Sequence, residues 1–280
     1  QNIVGNNTQR GILVTNSWNF TVNNNTVYDN SGYGLNANDS AKGIISQNYV
    51  YGNYYDGIGL LSSTDCEIVE NTIYNNTAYG LLLDSSPNNH VFHNNFIENG
   101  MQAATPSVNV WDNGFEGNYW SNYTGSDLNR DGIGDAPYVV DIDNNDSCPL
   151  MGKFSRFNTS LENNVNVVSN STISNFVFFG YNNTIRLDVS NMTATQSVGF
   201  CRMAIPHSLI VEPFNVTIDG GNPTYSNYSL FDDGVSRWIY FEYQHSAHEV
   251  VVQGFPPPDT TVPDVSVISP ENKVYNVSTV

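Results

Sequence analysis

A 23-residue period runs through the first hundred residues and limits what this chain can fold into. Gly11, Gly34, Gly57 and Gly80 are each one period apart, and each is followed by an aliphatic residue: Ile12, Leu35, Ile58 and Leu81. The same step links Val27, Val50, Ile73 and Phe96, and also Val22, Ile45, Ile68 and Val91. It links two asparagine columns, Asn25–Asn48–Asn71–Asn94 and Asn30–Asn53–Asn76–Asn99. Each repeat holds three short segments of alternating apolar residues, which is strand periodicity. A helical solenoid needs ~30 or more residues per unit. Three strands and three turns per period describe one coil of a parallel β-helix, with coils stacked about 4.8 Å apart so that every column becomes a ladder. Aliphatic columns fill the interior. Asparagine columns stack their amides, each donating to the next coil and accepting from the one before. The glycine column is expected to ease a turn. Tyr28, Tyr51 and Tyr74 lie one position from the interior column and are expected outside, as a stabilising aromatic ladder or as a strip on which sugars stack.

The expected architecture is all-β, a right-handed parallel β-helix of 23-residue coils over residues 1–105. After Asn99 the register fails: Ala103 takes the glycine position and Pro106 follows. Residues 106–154 are expected to cap the stack. At the other end Asn2, Val4 and Asn7 already fit a coil, so the first coil is expected to be open, with unpaired strand edges that template stacking. Gln1 reads as a processed or truncated start.

Within the cap segment, "DLNRDGIGD" places oxygen side chains at Asp127, Asn129, Asp131 and Asp135, with Gly132 at the sharp turn and the Ile133 carbonyl available. That is the spacing of a calcium loop, which wraps six to eight oxygens around one ion. Position 12 departs from the pattern: Tyr138 stands where a bidentate Glu belongs, and Asp141, Asp143 or Asp146 would have to supply the missing oxygens. Structural calcium is the expected cofactor, and a metal-free loop of Asx-turns is the alternative.

The coils, "GNYWSNYTGSDLNRDGIGDAPYVVD" and "CPLM" together resemble the NosD-type β-helix proteins, including archaeal surface proteins of the carbohydrate-binding and sugar-hydrolase β-helix class. The resemblance covers about residues 1–152. It implies the fold and the cap, but it says little about activity, because the class mixes enzymes, a copper-maturation factor and structural surface proteins. Copper finds little support in the residues. The histidine pairs His90/His93 and His245/His248 are three apart, which puts them on opposite faces of a strand.

From residue 155 to 255 the period is lost. Alternating segments such as "NVNVVS", "TIRLDVS" and "RWIYFEYQ", separated by Asn, Gly and Pro turns, predict an antiparallel, Ig-like β-sandwich of seven to eight strands. Asp232–Asp233–Gly234 reads as a hairpin turn. Residues 256–280 open as a proline-rich linker and continue into a strand from Val265, either the start of a truncated domain or a strand that completes a neighbour's sheet.

The chain carries 27 acidic and 9 basic residues in 280, a net charge of −18, which argues against nucleic acid and anionic membranes. No apolar run is long enough to span a bilayer. Asn-x-Ser/Thr sequons begin at Asn6, Asn19, Asn24, Asn38, Asn75, Asn122, Asn145, Asn158, Asn170, Asn182, Asn191, Asn215, Asn227 and Asn276. They point to an extracellular, N-glycosylated protein. Three cysteines allow one disulfide, and Cys148–Cys201 is the candidate pair because Cys66 falls inside the repeat.

Hydrolysis of a glycosidic bond needs two carboxylates about 5–10 Å apart. Asp29, Asp39, Asp56, Asp65, Glu67, Glu70, Asp84 and Glu98 are spread over the coils without forming a carboxylate column, and the coil region offers only Arg10 and Lys42 to hold an acidic sugar. The expectation is therefore not an enzyme. It is a structural building block of an archaeal surface layer, sheath or filament, polymerising head-to-tail with copies of itself. The alternative is a carbohydrate-binding module or a polysaccharide-active β-helix enzyme, using Tyr28, Tyr51 and Tyr74 as its platform.

Overall fold

The computed structural model describes residues 1–193 and 196–255. The proline-rich linker, the strand from Val265 and the sequon at Asn276 lie outside them. The period becomes three parallel sheets. The first face stacks Ile3–Gly5, Thr26–Tyr28, Tyr49–Tyr51, Thr72–Tyr74, Asn95–Ile97 and Tyr119–Trp120. The second stacks Ile12–Thr15, Leu35–Asn38, Ile58–Leu61, Tyr79–Asp84 and Met101–Ala104. The third stacks Thr21–Asn23, Ile44–Ser46, Glu67–Val69 and His90–Phe92. On the first face Val27 pairs with Val50, Val50 with Ile73 and Ile73 with Phe96, and all four are fully buried.

The corners between faces account for a further part of the asparagine. Asn6, Asp29, Gly52, Asn75 and Glu98 form one corner column, and Asn24, Gln47, Glu70 and His93 form another. All nine have left-handed backbones, with φ between 49° and 66°. Asn, Asp and Gly enter that region at the least cost. The glycine column has a different reason from the one expected. Gly11, Gly34, Gly57 and Gly80 are not left-handed. They leave space: a Cβ at Gly34 would lie 2.6 Å from Val50 Cγ1 and 2.6 Å from Asn53 Nδ2.

The interior amides form directed ladders. The Asn48 backbone N–H and Nδ2 both donate to Asn71 Oδ1 at 3.0 Å, and Asn71 donates likewise to Asn94 Oδ1 at 3.0 and 2.9 Å. Each buried carbonyl oxygen thus takes two N–H groups that would otherwise be buried unpaired. Stacking does not end at residue 105. Asn94 passes the ladder to Asn118 at 3.0 Å, and Asn118 passes it to the Asp146 carboxylate at 2.7 Å. A second line runs from Asn89 to Asn109 at 2.8 Å and on to Asn144 at 2.9 Å. Trp111 and Trp120 are buried with the coil interior, and each donates its indole N–H to the last acceptor of a ladder, Asn144 and Asp146 respectively. Asp146, a candidate for completing the calcium loop, serves instead as the ladder terminus.

The second domain is an antiparallel sandwich. One sheet has the order Lys153–Asn158, Asn164–Ser169, Val198–Pro206, Ser236–Gln244, Tyr225–Asp232. The other has the order Ser171–Phe179, Thr184–Asn191, His248–Gly254, Phe214–Ile218. Their inner faces share a core that includes Val167, Leu187, Met203, Phe241 and Val252. The expected Cys148–Cys201 disulfide is absent and both cysteines are free. Cys201 points into the sandwich core, with its sulfur against Ser169 Oγ and the Tyr243 hydroxyl, whereas Cys148 sits half-buried in the cap.

Buried and half-buried polar contacts fix the sandwich against the coils and cap. The Asn95 carboxamide donates to the Phe154 carbonyl at 2.9 Å and accepts its N–H at 2.8 Å, as a neighbouring strand would. Arg156 donates to Glu70 at 2.9 Å. Buried Glu116 in the cap accepts from Arg202 Nε at 2.7 Å and Trp238 Nε1 at 3.1 Å, both on the sandwich, and meets His93 Nε2 of the coils at 2.9 Å. Arg202 also donates to the Asp131 carbonyl at 2.7 Å.

Candidate functional site

Docking of the strand Lys153–Asn158 turns the outer first face of the coils into a groove. One stretch, of about 470 Å³, is lined by Asn24, Gln47, Tyr49, Glu70 and Thr72 on the coil side and by Phe154, Arg156 and Asn158 on the sandwich side. A second stretch, of about 350 Å³, shares Tyr49 and Thr72 and adds Tyr74, Ile97, Glu98 and Lys153. Volumes of this size are ordinary for binding clefts.

The local sequence explains who faces the groove. In each three-residue strand the middle residue is interior, so its neighbours face out. Thr72, Tyr74 and Tyr49 are such neighbours. Glu70 and Gln47 occupy left-handed corners, which turn their side chains toward the sandwich. Gln47 Nε2 donates to Glu70 Oε2 at 2.8 Å, and Arg156 Nη1 donates to Oε1 at 2.9 Å and to Oε2 at 3.3 Å, so this carboxylate is oriented from both walls. Burial raises the Tyr49 hydroxyl above its ordinary pKa, with Tyr51 and Tyr74 adding to the shift.

Tyr28, Tyr51 and Tyr74 lie outside the coil, as expected. Tyr28 and Tyr51 stack at 5.3 Å with planes 10° apart, and Tyr74 lines the groove. Tyr49, 43% exposed, lines both stretches and packs at 4.8 Å on Tyr51. The repeat does not flag it, since its column reads Ile3, Thr26, Tyr49, Thr72, Asn95. Lys153 and Arg156 provide cations that the coil wall of the groove lacks, and they come from the other domain.

In the acidic loop, Asp127 accepts the backbone N–H groups of Asp131 and Gly132 at 3.0 and 2.8 Å. Asp131 accepts from Ile133 N at 2.8 Å and from Asn129 Nδ2 at 3.0 Å, and Asp135 accepts from Leu128 N at 2.8 Å. Burial raises the Asp127 carboxyl above its usual range. Among the described residues no group of three or more His, Cys, Asp or Glu side chains is gathered as a metal site. The five histidines are dispersed. His93 meets Glu116, His207 meets Asp232, His245 meets Asn191, His248 meets Asp219, and His90 is exposed. Of the sequon asparagines, Asn6, Asn19, Asn24, Asn75, Asn122, Asn145, Asn158, Asn191 and Asn215 are exposed, while Asn38, Asn170, Asn182 and Asn227 are half-buried. No helix among the described residues is long and apolar enough to cross a membrane.

The family model described as periplasmic copper-binding protein (NosD) matches residues 1–125, so the resemblance read from the coils holds over that segment. No curated protein matches. Solved structures similar to the chain include the periplasmic alginate epimerase AlgG, 21% identical with a TM-score of 0.34, covering 45% of this chain and 28% of that one. They also include the Azotobacter vinelandii mannuronan C-5 epimerase AlgE4 A-module, 17% identical with a TM-score of 0.27, covering 38% of this chain and 37% of that one. A third is the Dettilon tailspike protein, 13% identical with a TM-score of 0.28, covering 89% of this chain and 64% of that one. The chain thus spans less than two thirds of each of them. The expectation of a non-enzyme is corrected by these neighbours, two of which are named as epimerases and are therefore enzymes.

Proposed function

We propose that the protein works outside the cytoplasm and holds a polysaccharide chain in the groove between the first coil face and the strand Lys153–Asn158. The carrying observation is Tyr49. It is an exposed aromatic ring at the waist shared by both stretches, backed by Tyr51 and flanked by the Glu70–Arg156 pair and by Lys153. Aromatic faces stack on the apolar faces of sugars, while fixed carboxylates and amides bond their hydroxyls. A groove open along its length suits an extended polymer. The match of residues 1–125 to a periplasmic family supports an extracytoplasmic location. Glu70 and Glu98 put two carboxylates on the groove, so a binding assay is best paired with an assay for altered polymer.

The test is affinity electrophoresis in gels containing alginate, cellulose derivatives or dextran, with product analysis of the same polymers. We expect retardation by at least one polymer and its loss in Tyr49→Ala. No retardation by any polymer, or an unchanged Tyr49→Ala, sinks the reading. The sequence also suggests a head-to-tail building block of a surface layer, sheath or filament. The terminal strand that would carry it lies outside the described residues, and the groove is the firmer ground.

A further inference from the structure

Two of the groove-lining residues are themselves sequon asparagines, one on each wall. Asn24 begins Asn24–Asn25–Thr26 and occupies the left-handed corner column that continues through Gln47 and Glu70. Asn158 begins Asn158–Thr159–Ser160 and ends the sandwich strand that forms the opposite wall. Both are exposed. Other exposed sequon asparagines, such as Asn122, Asn191 and Asn215, line neither stretch. A sugar chain attached at Asn24 or Asn158 starts inside the groove, with Tyr49, Glu70 and Arg156 within its first residues' reach.

We infer that the groove is the docking place of the protein's own N-glycans at Asn24 and Asn158, which occupy it until an external polysaccharide displaces them. This rests on the groove being a sugar site, as proposed above. The physical ground is effective concentration. A tethered sugar reaches the groove intramolecularly, at an effective concentration on the order of millimolar for a short flexible link. A free polymer that binds weakly at each sugar competes only by engaging several positions at once. The attached glycan therefore sets a threshold that favours long polymers over short ones. No other exposed sequon among the described residues has this effect, because none of their asparagines lines the groove.

The experiment uses the full chain made in an N-glycosylating host. Peptide mass spectrometry reads occupancy at Asn24, Asn158, Asn122 and Asn215. Hydroxyl-radical footprinting then compares glycosylated protein, enzymatically deglycosylated protein and the Asn24→Gln/Asn158→Gln variant. We expect Tyr49 labelling to rise severalfold when the glycans are removed, with Val235, 71% exposed at a hairpin tip of the sandwich and not beside a sequon, unchanged. We also expect stronger retardation of the double variant than of glycosylated protein in the polysaccharide gels. Unmodified Asn24 and Asn158 beside occupied Asn122 and Asn215 overturns the inference, and so does Tyr49 labelling that ignores deglycosylation. Protected Tyr49 with no polymer retarding even the double variant leaves the self-docked glycan standing and overturns the external-polysaccharide reading instead.

Discussion

Arg202 and Glu116 meet at 2.7 Å with both side chains almost fully buried, joining a sandwich strand to the solenoid cap. Glu116 also accepts from Trp238 and meets His93, so one carboxylate ties together three parts of the chain. Removing one partner of such a pair leaves the other charged and unpaired, at a cost of about 3–5 kcal/mol. Glu116→Gln should therefore lower the denaturant midpoint sharply, and Arg156→Ala, which removes a half-exposed pair, should barely move it. Urea unfolding followed by tryptophan fluorescence checks this, since Trp238 reports the junction directly. Equal midpoints for the two variants would contradict the burial argument.

Glu116 and Asp146 give stability opposite dependences on pH. His93 and Arg202 outweigh burial at Glu116 and hold its pKa down at about 2, against an ordinary 4.5. Its contribution is fully present above pH 4.5 and is lost as pH falls toward 2. Burial pushes Asp146 up from 3.8 to about 7, against the pull of its Trp120, Asn118 and Cys148 donors. Its protonated form is the favoured folded one, so its contribution is present below pH 3.8 and is lost as pH rises through 7. Thermal stability should peak in the mildly acidic range. Asp146→Asn should flatten the fall between pH 5 and pH 8 in differential scanning calorimetry, and a slope unchanged in that variant would assign the effect elsewhere.

The glycine column predicts a contrast between two alanine substitutions. A methyl at Gly57 meets Asn76 Nδ2 and Ile73 Cγ2 at 2.7 Å and the Gly80 carbonyl at 2.9 Å, with no flexible neighbour to yield. At Gly114 nothing lies within 4 Å, and only a φ of 83° opposes the change. Gly57→Ala should cost about 1–3 kcal/mol or more by overpacking, and Gly114→Ala about 1 kcal/mol of backbone strain. Chemical denaturation of the two variants side by side tests the order, and a larger loss at Gly114 would reverse the account.

We propose that calcium is the ion for the loop of Asp127, Asn129, Asp131, Ile133 and Asp135. At about 100 times its dissociation constant a cation bound only to the folded state adds about 2.7 kcal/mol. The melting temperature should then rise by several degrees over that in chelator. The rise should shrink in Asp127→Asn, whose side chain sits at the loop's centre, accepting from Asp131 and Gly132. A chelator-independent melting curve would leave the loop as a set of Asx-turns.

What could be read from the sequence followed what repeats. The interior columns, the amide ladders and the outward tyrosines recur every 23 residues, and the coil stack reproduces them. The ladder's continuation was hidden because its later steps break period: Asn94 reaches Asn118 over 24 residues and Asn89 reaches Asn109 over 20. The groove was hidden for a stronger reason. Glu70 and Arg156 are 86 residues apart, and no local pattern states that a sandwich strand will lie along a coil face. Tyr49 stands in a column, Ile3, Thr26, Tyr49, Thr72 and Asn95, whose chemistry the 23-residue repeat does not hold constant. The glycines were legible as a column but misread in mechanism, because absence of a side chain serves spacing as well as turning.

Because every amide ladder donates in one direction, from lower to higher residue number, the solenoid has a sense, like a screw thread. Each amide oxygen accepts from the turn before it, and the step repeats unchanged from turn to turn. A whole turn such as residues 25–47 is therefore a repeatable unit. Duplicating it lengthens the rod by one pitch and leaves the terminal carboxylate, the tryptophans and the domain junction as they were. Rod length is a freely adjustable dimension of this protein, set by counting turns and not by redesigning either end.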